Sequence, residues 1–549
     1  VHWTPLRPDV RLKDCFSMAN ISWYGGATTR TPRWPLNRAE SQAQPFVSSD
    51  FARNPEGFGP VLDRYFLSST GVTVTVAPEV PLFLWLESDR HFCLGTPGGM
   101  AAVPLRYQLC VSPDVAAAQR HLGGQRGGQA RALPDMALLG APVWRYQGPE
   151  GSAAKIKRGL RSLARRLKRH RLQEGVLALG EHSTIVLAAE QDNVPEAGGK
   201  GQESGGGWAP SLISPLQLSI TLSPYVAVSS RLFLRSLRDD QDLGCSWLGL
   251  QPRPGGCSIP LLTVWRGQLC ARLNVTSKVA LSWYLARARR LQQELGATYV
   301  AFEGVEGNSF LEQAVPPPPE LEGDRYTQAL VAALARLGNA TIISAGASSS
   351  HLPFFIQMSP LHSDWSHAGL KGLIPSVLHY SLLGYNFFIP DVVGGSLAGD
   401  TPGDTELYVR WLQIVTFLPV MAFSKPPWLC CDAWVLNLTR QCIERHRDFV
   451  VPLLIRSSQE WLRMGFPIFR PAWWLSPTDP TALTIEDEFL IGDEVLVAPV
   501  TEKGQRWRDI YLPGEGHLWM DTSTARVFDG GTILRNYSAS LEEVPVFIK

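Results

Sequence analysis

The stretch TYVAFEGVEGNSF, Thr298 to Phe310, decides the fold. Its first five residues read as a short buried strand, and two carboxylates set among glycines, Glu303 and Glu306, follow at once. Parallel β/α barrels present reactive groups in this way, at the C-terminal ends of their strands. The residues just upstream complete the unit. In SKVALSWYLARARRLQQEL, Leu281, Leu285, Ala288 and Leu295 fall on one face of a helix, with Thr276 placed to cap it and Gly296 to end it.

Working outward, helices alternate with short apolar runs from about Leu212 to residue 459. ATIISAG and YNFFIPDVVGG predict two further strand ends. On both sides the pattern is β. TGVTVTVAP and VPLFLWLESD alternate and are broken by Gly and Pro before Gln147, and FPIFRPAWWL, FLIGDEVLVAPV and RDIYLPGEGHLWMD follow Arg456. The expected fold is therefore α/β plus all-β: an N-terminal β-sandwich over 1–211, an abbreviated (β/α)8-type barrel over 212–459, and a C-terminal β-sandwich over 460–549. The barrel is expected to be abbreviated because Tyr225 to Leu273 leaves 49 residues where the pattern calls for several β/α units, and each takes about 30. Within 1–211 lie a helix over 153–173, carrying nine basic residues between Lys155 and Arg171, and a Gly-rich loop over 191–208. The basic face reads as solvated, or as a patch for sulfated glycan or phospholipid headgroups.

Lys and Arg total 51 against 50 for Asp and Glu, so no overall field favours nucleic acid, and electrostatic function must be local. No apolar run reaches the roughly 18 residues that span a bilayer, and VHWTPLRPDV lacks the regions of a signal peptide. Five of the ten asparagines open a sequon: Asn20, Asn274, Asn339, Asn437 and Asn536. That excess implies the secretory pathway and hence an extracellular or lumenal location; the chain is expected to be the ectodomain of a single-pass type II membrane protein whose anchor lies outside it. Nine cysteines fit an oxidising compartment. Cys245, Cys257 and Cys270 are close enough for local bridges, whereas the adjacent Cys430 and Cys431 are not expected to pair. No Cys/His spacing resembles a zinc site, and no metal or cofactor is expected.

The sandwich, barrel and sandwich, with WYGG at Trp23, PDVVGG at Pro390, ELYVRW at Glu406, FLPVMAFSKPPW at Phe417 and FLIGDEVLVAPV at Phe489, resemble glycoside hydrolase family 31 along nearly the whole chain. The resemblance implies a mutarotase-like N-terminal domain and retaining chemistry, with one carboxylate attacking the sugar and a second protonating the leaving oxygen. Active members carry the nucleophile in a segment like FDAGE. Here FEGVE puts Glu303 at the nucleophile position, one methylene longer, with Glu306 behind it. The acid lies five residues before a Trp in a segment like DRDSVW. PLHSDW puts Pro360 there, and proline has no proton to give. His362 and Asp364 are near, but displaced along the loop.

Counting back from Trp365 puts Ser348 where members hold sugar hydroxyls with an Arg, and no Arg occurs from Leu337 to Leu370. Asp391 remains, as a substrate contact or as a buried Asp bonded to loop backbone. Two readings follow. One is a pseudo-glycosidase that binds a carbohydrate or small anionic ligand, or partners another membrane protein or a second copy of itself. The other is an active retaining exoglycosidase of α-galactosidase type using Glu303.

Overall fold

The computed structural model describes residues 1–7, 9–87, 91–98, 103–125, 131–148, 151–191, 213–236, 247–248, 260–307, 321, 323–401 and 403–549. Eight strands run parallel in one sheet: β1 (Val143–Arg145), β2 (Val176–Ala178), β3 (Gln217–Leu222), β4 (Tyr299–Phe302), β5 (Thr341–Ile343), β6 (Phe354–Gln357), β7 (Phe388–Ile389) and β8 (Ala422–Phe423). Each pairs with the next up to β7, and β8 pairs with β1. The amide of Val393, just after β7, donates to the Ala422 carbonyl at 2.9 Å, so the barrel is nearly closed.

Helices α1 (Ala153–Arg169), α2 (Glu181–Gln191), α3 (Lys278–Glu294), α4 (Arg325–Leu334), α5 (Leu373–Leu382), α6 (Thr405–Val415) and α7 (Ala433–Arg445) lie in the links between the strands and after β8. The β5–β6 link has no helix of its own. Its Gly346–Ala347 pairs instead with Val61 and Leu62 of the N-terminal domain.

Two expectations about the barrel are corrected. It is not abbreviated, and it begins near residue 143 rather than 212. The strands missing between Tyr225 and Leu273 are supplied upstream by β1 and β2, and the basic helix is the barrel's first helix, α1. Three-residue strands such as VWR and VLA are too short to show a period, so the N-terminal β pattern masked them. The strand ends expected at ATIISAG and YNFFIPDVVGG are β5 and β7. Ser277, not Thr276, caps α3: its side chain accepts from the Ala280 amide at 3.2 Å, while Thr276 donates to Asn274. Gly296 follows the helix in the left-handed conformation that glycine favours, φ 61°.

The N-terminal domain stacks the sheet built on Val61–Ser68 against the antiparallel sheet of Lys13–Ser17, His91–Gly95, Phe83–Glu87 and Ser41–Pro45. The C-terminal domain places six strands, from Phe469–Arg470 to Val546–Ile548, against a two-stranded antiparallel sheet of Trp507–Leu512 and Thr532–Ser538. Arg410 of α6 is fully buried and joins barrel to C-terminal domain, donating to the carbonyls of Gln505, Ala539 and Ser540 at 2.6, 3.1 and 2.9 Å. Cys15 pairs with Cys93 across adjacent strands. Contrary to expectation, Cys430 and Cys431 bond to each other. Cys110, Cys270 and Cys442 are free. Cys245, Cys257 and most of the Gly-rich loop lie outside the described residues. No described helix is long and apolar enough to cross a membrane.

Candidate active site

Glu303 stands directly after β4, its amide donating to the Leu222 carbonyl at the end of β3 at 3.0 Å. It lines a cavity of about 160 Å³ at the C-terminal mouth of the barrel, with Arg145, Thr221 and Gln357. That is smaller than an ordinary small-molecule site of roughly 300 Å³ or more. Glu303 is the sole Asp or Glu among its described lining residues.

A feature that sequence reasoning missed faces this carboxylate. Strands Leu262–Trp265 and Gln268–Arg272 form a hairpin whose two turn residues, Arg266 and Gly267, have φ of 48° and 76°. Positive φ at both positions marks a type I′ turn, which favours Asn-Gly or Asp-Gly; an arginine in this conformation costs about 1–2 kcal/mol. The Arg266 guanidinium forms an ion pair with Glu303 and lies 3.6 Å from Glu181. Glu181, at the start of α2, also accepts from the Trp265 indole at 2.9 Å and from Ser223. The Trp265 ring stacks on Tyr225 at 4.6 Å. Gly304 makes room for this pair, because a Cβ there would come within 2.7 Å of Tyr225 and 2.9 Å of Trp265. The glycine in FEGVE thus seats the hairpin against the nucleophile position. Burial raises the Glu303 carboxyl above its usual range, and Arg266, then Arg145, hold it down.

The other expected positions spread out. Glu306 is buried behind Glu303, where Ser344 donates to it at 2.6 Å; burial, then Asp50, pushes its carboxyl up to about 7. Pro360 is exposed in the loop after β6. His362 and Asp364 line a separate open groove beside Arg30, and the Asp364 carboxylate accepts from Ser366 within its own turn. Ser348 is exposed just after the β5–β6 segment that joins the N-terminal sheet. Asp391 is buried, and its Oδ2 accepts from the amides of Leu361 and Ser396 at 2.7 and 2.9 Å, the loop-bonded arrangement. Its Oδ1 faces Arg145 at 3.9 Å. Of the sequon asparagines, Asn20, Asn339, Asn437 and Asn536 are exposed and Asn274 is half-buried.

Comparison with known proteins completes the picture. Residues 465–549 match the glycosyl hydrolase family 31 C-terminal domain. The SITS-binding protein of Tetronarce californica is 48% identical across all of this chain and 77% of its own length. The myogenesis-regulating glycosidase of Mus musculus is 30% identical, again over all of this chain and 77% of that protein. The chain belongs to glycoside hydrolase family 31. Solved family-31 structures share its fold: a dextranase from Flavobacterium johnsoniae has a TM-score of 0.73 at 16% identity, covering 98% of this chain and 66% of that one. A xylosidase from Aspergillus niger has a TM-score of 0.73 at 16% identity, covering 100% and 81%. Arg266 is the residue of this site that strand ends and motif spacing did not point to. The signal available in the sequence was VWRGQL, a two-residue turn closed by Gly with Arg where Asn or Asp is ordinary.

Proposed function

We propose that this family-31 chain is a pseudo-glycosidase, a barrel that binds but does not hydrolyse. The observation that carries this reading is the ion pair between Arg266 and Glu303, whose cavity has no second carboxylate among its described lining residues; Glu181, which shares Arg266, is buried outside that lining and accepts from Trp265 and Ser223. A nucleophile held by a guanidinium must break that pair before it attacks. A retaining enzyme also needs its acid about 5–5.5 Å from the nucleophile, and a proton donor contributes about 10²–10⁴-fold to rate. The alternative, a retaining exoglycosidase of α-galactosidase type, has in its favour the position of Glu303 at the end of β4.

The sequons and their accessible asparagines support an extracellular or lumenal glycoprotein, the ectodomain of a membrane protein anchored outside this chain. The small cavity suits a carbohydrate unit or small anion rather than a polymer, and the protein acts by holding such a ligand or by partnering another membrane protein. The purified chain should hydrolyse nitrophenyl α-galactoside and α-glucoside no faster than Glu303→Gln. Nitrophenol hardly needs an acid, so the assay favours the enzyme. Turnover that disappears in Glu303→Gln, or a fluorosugar adduct on Glu303, would overturn the reading.

A further inference from the structure

We propose that the outward face of α1 is a docking surface for a linear sulfated polysaccharide. The molecule as a whole is nearly neutral, yet eight of the seventeen residues of Ala153–Arg169 are Lys or Arg, none is acidic, and Arg171 follows. Ile156, Leu160 and Leu167 are fully buried against the barrel. With about 100° per residue, the cations spread over the roughly 180° opposite that face. From Lys155 to Arg171 every cation except Lys157 is exposed.

Among the described residues no acidic side chain pairs with Arg158, Arg161, Arg165, Lys168 or Arg169. The acid that follows the helix, Glu174, pairs with Arg447 at 3.5 Å. From the neighbouring α7, Arg440 reaches the His170 carbonyl at 2.9 Å and adds a further cation. Lys157, Arg161, Arg165 and Arg169 repeat at i,i+4, a like-charge spacing that destabilises a helix. The helix is held in place regardless. Gly159 admits the Tyr146 side chain where a Cβ would come within 2.1 Å of its hydroxyl, and His170 stacks on Trp428 at 4.5 Å. The repulsion is therefore frozen into a rigid stripe about 25 Å long, and a polyanion would relieve it.

The chemistry of the stripe selects among polyanions. A helix that enters a bilayer surface needs a free apolar face, and this one is already packed on the barrel. Single-stranded nucleic acid is held through aromatic platforms, and α1 carries no aromatic residue. Six of the nine cations from Lys155 to Arg171 are arginines, whose planar fork suits a tetrahedral oxyanion ester. The sequons argue for the compartment in which sulfated polysaccharides occur.

The secreted full chain should be retained on immobilised heparin, and its affinity should fall roughly 100-fold between 50 and 200 mM salt if about five cations engage. The combined variant Arg158→Gln, Arg161→Gln, Arg165→Gln, Lys168→Gln should bind heparin more than about tenfold more weakly. Its thermal midpoint should equal or exceed that of the wild type, which separates lost charge from lost fold. Desulfated heparin should not retain the protein. Undiminished heparin binding by the folded variant would overturn the proposal. So would failure on heparin alongside binding to phosphatidylserine vesicles, or displacement from heparin by RNA at lower concentration than by free heparin.

Discussion

Replacing Glu306 by Gln tests whether the barrel mouth buries a carboxyl in its neutral form. The side chain is 7% exposed and accepts from Ser344 at 2.6 Å, while Arg272 donates to the Glu306 backbone carbonyl at 3.1 Å. Burial, then Asp50, takes its pKa from 4.5 to about 7. The folded state thus keeps a proton that the unfolded chain releases between those values. Stability that is fully present below pH 4.5 is lost as pH rises through 7, by about 3 kcal/mol in all. Gln cannot ionise, and its Oε1 can still accept from Ser344. The variant should match the wild type at pH 4.5 and exceed it by about 3 kcal/mol at pH 8.5.

Hydrogen exchange at the Val300 and Glu303 amides, bonded to Ala340 and Leu222 at 3.2 and 3.0 Å, reads the local opening of β4 without requiring the whole chain to unfold in one step. Their protection should rise about 100-fold in the variant at pH 8.5 and not at pH 4.5. Equal gains at both pH values, or lower protection at pH 8.5, would refute a carboxyl buried neutral.

Other outcomes follow from separate parts of the molecule. Mass spectrometry of protein from mammalian cells should show glycan at three or more of the five sequons, whose asparagines are exposed or half-buried; unmodified peptides at all five would remove the compartment argument. Non-reducing digestion should release one peptide with Cys430 and Cys431 linked internally and Cys442 open to alkylation once unfolded, and a link from either to Cys442 would contradict the pairing. Arg410→Met strands the carbonyls of Gln505, Ala539 and Ser540, so it should cost at least about 3 kcal/mol and expose the C-terminal domain to earlier proteolysis. Arg266→Asn gives the turn a residue it favours and should keep the hairpin folded, with nitrophenyl glycoside turnover still at background. Turnover appearing in that variant would show that the arginine alone restrains a competent site.

The barrel was legible where its elements are long enough to carry a period. The unit from Ser277 to Glu303 fixed the fold because a seventeen-residue helix with one apolar face runs directly into a strand. Its cap shifted by one residue because Thr276 and Ser277 are equally suited by type, and only the backbone decides which hydroxyl meets the Ala280 amide. The start of the barrel was not legible. β1 and β2 contribute three residues each, and the helix between them advertises its charge more strongly than its Ile156, Leu160 and Leu167 face. Cys430 and Cys431 were misjudged from their adjacency alone.

The site divided along a different line. Positions tied to a strand end were legible as positions: Glu303 directly follows β4, Asp391 follows β7, and Pro360 lies in the loop after β6. Such ends are set by barrel geometry, which a local substitution does not move. Arg266 could not be placed in the same way. Its hairpin contacts Glu303 across 37 residues of sequence, and no periodicity links them. What ties the two together is steric and electrostatic: Gly304 leaves space for Tyr225 and Trp265, their stack aims the turn, and the turn sets a guanidinium between Glu303 and Glu181. An arginine accepting left-handed backbone there is strain without return unless the ion pair offsets it, as strained residues at functional sites require. The same pair occupies the Glu303 carboxylate, so the hairpin packed at this mouth also supplies the partner that any ligand of Glu303 would have to displace.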